Sequence, residues 1–241
     1  MNDYFERAES LQKKLENGEN EAEIRDELQN MFNNIFIGKH LSNGQDIEKK
    51  TTDKIMSSLK ALSNLQSLKC DMKTIYKCNI SKICDNITFS SDLLLSEWGK
   101  RIRFYCDEEI FVKCSAKWLI WSILSVISNA VIYSSKKDII VTLSQDADFA
   151  IVSILNFGKC NLDNIFESLN EKGKSLNSVD HFIECSKGKM LFCCDNEKTN
   201  IIMKIPKYID EDLLLYNSYD FSEFLSDRLS PLYIALSDIC F

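Results

Sequence analysis

The sequence predicts an α+β protein in two parts: an N-terminal helical hairpin that forms a four-helix bundle in a homodimer, followed by an α/β sandwich. Two observations lead there. Apolar residues recur at three- and four-residue steps between Tyr4 and Leu68, the seam of helices packing on helices. After Lys77 the texture changes to short apolar runs that alternate with helical stretches, the pattern of a sheet covered by helices. A composition of 45% hydrophobic and 27% charged residues over 241 positions is that of a globular chain able to bury a core in either part.

The first seam is Tyr4, Ala8, Leu11 and Leu15, interrupted at Gly18–Asn20. It resumes with Ile24, Leu28, Met31 and Ile35 as far as Leu41, where Ser42-Asn43-Gly44 signals a turn. A second long helix then carries Ile55, Leu59, Leu62, Leu65 and Leu68 on one face. Two helices alone bury little, so this hairpin is expected to pair with another copy of itself. Beyond it the sequence predicts helices at Ser81–Trp98 and Ala116–Ser134, and strands at Arg101–Cys106, Ile139–Leu143, Phe149–Leu155, Lys189–Cys193 and Asn200–Ile205, the last stopped by Pro206. The chain therefore divides into a helix at 1–20, a hairpin at 21–75, an α/β domain at 76–206 and a helical tail at 207–241.

Composition narrows the function classes. A net charge of −7 with no basic stripe argues against nucleic acid as a partner. The apolar runs Trp118–Ile127 and Ile201–Ile205 are too short or too interrupted to span a bilayer, and Met1–Arg7 lacks a signal pattern, so a cytoplasmic protein without a membrane segment is expected. The ten cysteines are scattered, with no zinc-type spacing, and read as buried reduced thiols with no metal.

Local motifs then sharpen the picture. Arg25-Asp26-Glu27-Leu28-Gln29-Asn30 stands on the first hairpin helix; Glu97-Trp98-Gly99-Lys100-Arg101-Ile102 turns into a strand; Ser125-Val126-Ile127-Ser128-Asn129-Ala130-Val131-Ile132-Tyr133-Ser134 ends a helix. Asn156-Phe157-Gly158-Lys159-Cys160 is followed by Asn164-Ile165-Phe166-Glu167 and by Glu171-Lys172-Gly173-Lys174-Ser175-Leu176. In this order and spacing the segments resemble the core of sensor histidine kinases over about residues 21–206: a dimerisation and phosphotransfer hairpin plus an ATP-binding domain of the fold shared with gyrase. The architecture is also similar to that of ATP-independent histidine phosphotransferases. The resemblance implies two-component or phosphorelay signalling, with a response regulator receiver domain as partner.

The departures from the family's motifs carry chemical consequences. Where the family has its phospho-acceptor His, this chain has Asp26, whose carboxylate cannot form the same phosphoramidate. Asn129 keeps the family's magnesium-ligand position, but Ser125 replaces the upstream Asn and Ile132 the Lys one turn later. Asn156 replaces the Asp that accepts from the adenine amino group, keeping one acceptor oxygen and losing the charge. Gly158 and Gly173 persist from the glycine boxes, whereas Cys160, Glu171 and Ser175 stand where glycines let backbone approach phosphate, and the lid between Phe166 and Gly173 is short. The expected cofactor set is therefore none, with ATP and magnesium binding lost. Asn129 and Gly158 are then relics that serve the fold.

Glu27 and Asn30 keep the spacing of the family's phosphatase signature, in which an acid and an amide orient water against a phospho-aspartate. The competing reading is two solvated side chains on a helix face. His40, fourteen residues beyond Asp26, is an alternative acceptor or a solvent-facing His beside the turn, and His181 matches a family position expected to pack. Three functions follow in order: a pseudokinase or phosphotransferase-like adaptor that sequesters or dephosphorylates a regulator; a weakly active ATP-binding histidine kinase; a purely structural dimerisation module.

Overall fold

The computed structural model describes residues 2–38, 45–69, 75–158, 162–171, 174–208, 214–216 and 220–240. Three helices come first: α1 (Asn2–Glu16), α2 (Glu21–Gly38) and α3 (Gln45–Ser67). The apolar positions at helical spacing are the buried ones. Ala8, Leu11 and Leu15 of α1, Ile24, Leu28 and Met31 of α2, and Ile55, Met56, Leu59 and Leu62 of α3 meet in one core. All three helices touch one another, so α1 joins the hairpin as its third member. Polar links hold the α2–α3 contact at its rim: Arg25 donates to Ser63 at 3.3 Å and Gln66 at 2.9 Å, and Lys69 pairs with Glu21 at 2.7 Å. Leu59 and Leu62 of the α3 seam are fully buried within the chain, and Leu65 is half-buried.

The α/β part is a five-stranded sheet of order β2-β4-β5-β7-β6 under helices, where β2 is Arg101–Cys106, β4 Asp138–Gln145, β5 Phe149–Phe157, β6 Lys189–Cys194 and β7 Lys198–Pro206. Only β2 and β4 run parallel; the other pairs are antiparallel. Alternation along β4, β5 and β7 sends two cross-strand rows inward in register, Leu143–Val152–Met203 and Val141–Ile154–Ile201. They pack against α4 (Ile80–Ser96), α5 (Ala116–Tyr133) and α7 (Ser175–Cys185). Apolar on nearly every side, α5 is the core helix; among the described residues it alone is long and apolar enough to cross a membrane, and 72% of it is buried in the fold. Between α4 and β2 the chain reverses at Gly99, whose φ of +70° suits a residue without a Cβ. Asp92 pins the reversal by accepting from Arg101 at 2.9 Å and from the Ile102 amide at 2.7 Å.

Three strands escape the sequence pattern. β1 (Tyr76–Asn79), β3 (Phe111–Cys114) and β8 (Leu215–Tyr216) form a separate three-stranded sheet of order β3-β1-β8. Each is too short to display a period, and β8 draws part of the expected helical tail into a sheet by parallel pairing with β1. The described part of the tail beyond β8 carries three short helices, α8 (Phe221–Ser226), α9 (Pro231–Ala235) and α10 (Ser237–Cys240), with Leu232, Ala235 and Leu236 buried. Pro206 closes β7 from inside the strand, facing Phe149 at its end. Cys78, Cys84 and Cys114 are buried and outside any disulfide, as expected, and burial pushes the Cys84 thiol well above its ordinary range. On the edge strand β6 the expectation fails: Cys193 is exposed, because an edge strand keeps one flank in solvent, and Cys194 is disulfide-bonded.

Gly158 joins the end of β5 to the end of α5. A Cβ there would lie 2.4 Å from the Tyr133 carbonyl oxygen, while the Ser135 amide donates to Phe157 O at 2.6 Å beside it. Gly158→Ala therefore has to part the two elements and is expected to lower stability by about 1–3 kcal/mol in thermal or urea unfolding.

Candidate functional site

The structure gathers the singled-out residues at two places. The first lies at the C-terminal half of α5. Asn129, Ile132 and Tyr133 line a cavity of about 460 Å³ whose other walls are Glu167 and Ser168 of α6 (Leu162–Asn170), Lys174 and Ser175, the α3 residues Ser57, Lys60, Ala61 and Asn64, and Asp238 of α10. Asn156 lies near the end of β5 and Gly158 just after it: Asn156 is 4% exposed and faces Thr199 across the ladder, and the Gly158 amide donates to Glu197 O at 2.8 Å. Gly173 and Cys160 of the glycine boxes, and His40 of the hairpin, lie outside the described residues.

The residues present do not fit a magnesium nucleotide. Ser125 is 0% exposed with its hydroxyl buried and unpartnered, so the position of the upstream family Asn offers nothing to the cavity. Ile132, 43% exposed, presents carbon where a Lys would meet phosphate. Among the described lining residues the charges of Lys60 and Lys174 are balanced by Glu167 and Asp238, two against two. Both lysines are already engaged: Lys60 with Asp238 at 2.6 Å and Lys174 with Glu171 at 3.5 Å. A polyphosphate entering here meets carboxylates and no spare cation on the described walls. The Asn129 amide nitrogen is buried without a partner, a donor that the fold leaves unsatisfied at the cavity.

The hairpin forms one wall of this cavity and is bonded to the elements around it. Asn64 of α3 accepts from the Trp121 indole at 3.1 Å and from the Ser178 hydroxyl at 3.3 Å, all in buried surroundings. One turn earlier Lys60 donates to Ser128 at 3.2 Å as well as to Asp238. Together these contacts clasp α3 to α5, α7 and α10. Sequence reasoning missed them, although two signals were available. A Trp inside an apolar core helix needs a partner for its N–H, and Lys60 and Asn64, four residues apart, make a polar stripe beside the apolar face of α3.

The second place is the exposed flank of α2. Asp26 and Asn30 are exposed and Glu27 is half-buried, and all three border a groove of about 340 Å³ between α1 and α2 together with Tyr4, Arg7, Glu23, Met31 and Asn34. The i, i+1, i+4 spacing puts them on one side of the helix. Arg7 forms an ion pair with Glu27, so α1 holds the carboxylate in place from across the groove. His181 is half-buried on α7, with Nε2 at 3.5 Å from Cys185 Sγ, in a packed position. Among the described residues no group of His, Cys, Asp and Glu could hold a metal ion.

The fold built this way is that of a histidine kinase core with its ATPase-type domain. Acinetobacter baumannii histidine kinase AdeS superposes with a TM-score of 0.55 at 14% identity, over 76% of this chain and 96% of that one. Full-length ShkA, solved in complex with AMPPNP, matches with a TM-score of 0.65 at 14% identity over 79% of this chain, which spans 45% of its length. The nucleotide-free catalytic domain of the histidine kinase ThkA matches at 0.51 with 18% identity, over 57% of this chain and 99% of that domain. No protein-family model matches the chain, and no curated relative does.

The Lys60–Asp238 pair makes an asymmetric prediction. Lys60 is 11% exposed at its side chain and Asp238 45%. Asp238→Asn strands a nearly buried ammonium and is expected to cost about 1–2 kcal/mol, discounted for the solvent around Asp238, whereas Lys60→Met removes the charge with its partner left in water and costs less. Urea unfolding of the two variants checks the order.

Proposed function

We propose that this chain is a two-component signalling protein of the pseudokinase or adaptor kind, which docks a response regulator receiver domain on α2 and dephosphorylates or sequesters it. The observation that carries the reading is the grouping of Asp26, Glu27 and Asn30 along one groove of α2, at the position of the family's acceptor His, with an Asp where the His would be. The Asp26 carboxylate cannot carry a phosphoramidate, and it leaves its neighbours in place. Glu27, steadied by Arg7, can accept a proton from water, and the exposed Asn30 amide can orient that water toward an aspartyl phosphate. No ATP is needed for that chemistry. The neutral, carboxylate-lined cavity at Asn129 supports loss of the kinase half-reaction.

Asn30→Ala is expected to abolish hydrolysis of a phosphorylated receiver while leaving its binding within a few-fold of wild type. If the wild-type protein neither binds a cognate receiver nor shortens the lifetime of its phosphorylated form, this reading fails.

One observation favours a second reading, a weakly active nucleotide-binding kinase: the unpartnered Asn129 amide in a cavity. Titration calorimetry with ATP and magnesium separates the two. No heat of binding up to about millimolar nucleotide is expected, and a micromolar constant promotes the kinase; ligand at a hundredfold its dissociation constant would also add about 2.7 kcal/mol of stability, readable as a thermal shift.

A further inference from the structure

We infer, on the receiver reading above, that Arg7 of α1 binds the phosphoryl group, so that the α1–α2 groove receives an aspartyl phosphate and does not dock its carrier by shape alone. The described lining of the groove carries three carboxylates, Glu23, Asp26 and Glu27, and one cation, Arg7. A phosphorylated aspartate brings about two more negative charges to that face. Without a cation in place the encounter is repulsive. α2 has an arginine of its own, Arg25, but it is committed to α3 through Ser63 and Gln66. Within the described groove the counter-charge therefore comes from α1.

Arg7 is held in a way that suits it for this. It donates to Glu27 Oε1 through Nε, and neither terminal nitrogen of the guanidinium bonds to a described residue. The side chain is 58% exposed. The N–H donors of both terminal nitrogens stay open in a planar fork, the arrangement that takes two oxygens of a phosphoryl group at once. Glu27 meanwhile steadies a long side chain whose rotamer freedom would otherwise be lost on binding. Among the described residues Glu27 is engaged through one oxygen, which leaves Oε2 for water. The water oxygen bonds to phosphorus as the bond from phosphorus to the acyl oxygen breaks, and the receiver's aspartate leaves with the bond pair as a carboxylate. Glu27 takes the water's proton and returns it to the released phosphate, while Arg7 holds the phosphoryl oxygens. On an unphosphorylated receiver the fork has nothing to grip, so the groove distinguishes the two states of its partner.

Arg7→Lys is the deciding substitution, because Lys keeps the charge and an ion pair with Glu27 but lacks the fork. Calorimetry uses the full chain and a cognate receiver charged with beryllofluoride, a stable stand-in for the phosphoryl group. Affinity for the charged receiver is expected to fall about 10- to 100-fold in the variant, with affinity for the uncharged receiver within a few-fold of wild type. A residue that only pinned α1 would be rescued by Lys, so an unchanged affinity for the charged receiver overturns the inference. Equal losses for the two forms overturn it as well. NMR of the wild-type chain without any receiver separates this site from the receiver reading. The Arg7 Nε–H resonance is expected to shift saturably with inorganic phosphate and not with chloride at equal ionic strength. No shift, or the same shift with chloride, overturns the phosphoryl site whatever the receiver does. A saturable shift in a chain that binds no receiver upholds the site and ends the receiver reading instead.

Discussion

The burial of α3 on both of its sides is the constraint from which the remaining arrangement follows. Its apolar stripe, Ile55, Met56, Leu59 and Leu62, is satisfied by α1 and α2; its polar stripe, Lys60 and Asn64, is satisfied by α5, α7 and α10. A helix held this way belongs to both halves of the chain at once. The two halves therefore share one continuous core, and the buried residues form one cluster from Ala8 to Leu236. Buried polar groups of this kind contribute through the cost of leaving them unmade as much as through the bonds themselves. That cost fixes α3 in one register: sliding it by a turn would strand both Trp121 Nε1 and the Asn64 carbonyl.

Packing by itself accounts for several of the residues that the sequence motifs singled out. Gly158 is kept at a place where a Cβ would strike the Tyr133 carbonyl, which is a requirement of packing between β5 and α5. Asn156 is buried between strands, and Ser125 is turned into the core. Positions that serve the sheet and the core helix are held by sterics. Ile132 and the lysines of the cavity, which line open space, carry no such steric constraint.

Much of the architecture was legible in the sequence because it is periodic. The strands β2, β4, β5, β6 and β7 and the helices α4 and α5 fall within a few residues of the alternation and helical spacing that announced them. β1, β3 and β8 were not legible: strands of four, four and two residues are shorter than any period, and they exist because a neighbour offers backbone partners. At the candidate sites the sequence spacing put Asp26, Glu27 and Asn30 on one face of a helix, whereas nothing in it pointed to Arg7 as the partner of Glu27.

The sequence by itself determined the order of the elements, the common face of the α2 residues and the substitutions that set this chain apart from the kinases it resembles. Tertiary structure decided where the seams went. α1 was an isolated helix in the sequence and is the third wall of the helical layer in the fold, where it packs on both α2 and α3. Lys60 meets Asp238 across 178 residues of sequence, and Asn64 meets Trp121 across 57. The physical reason is common to all of these. A local period encodes which face of an element is apolar, because neighbours along the chain repeat it, but which partner covers that face depends on contacts between distant residues that leave no repeat to read.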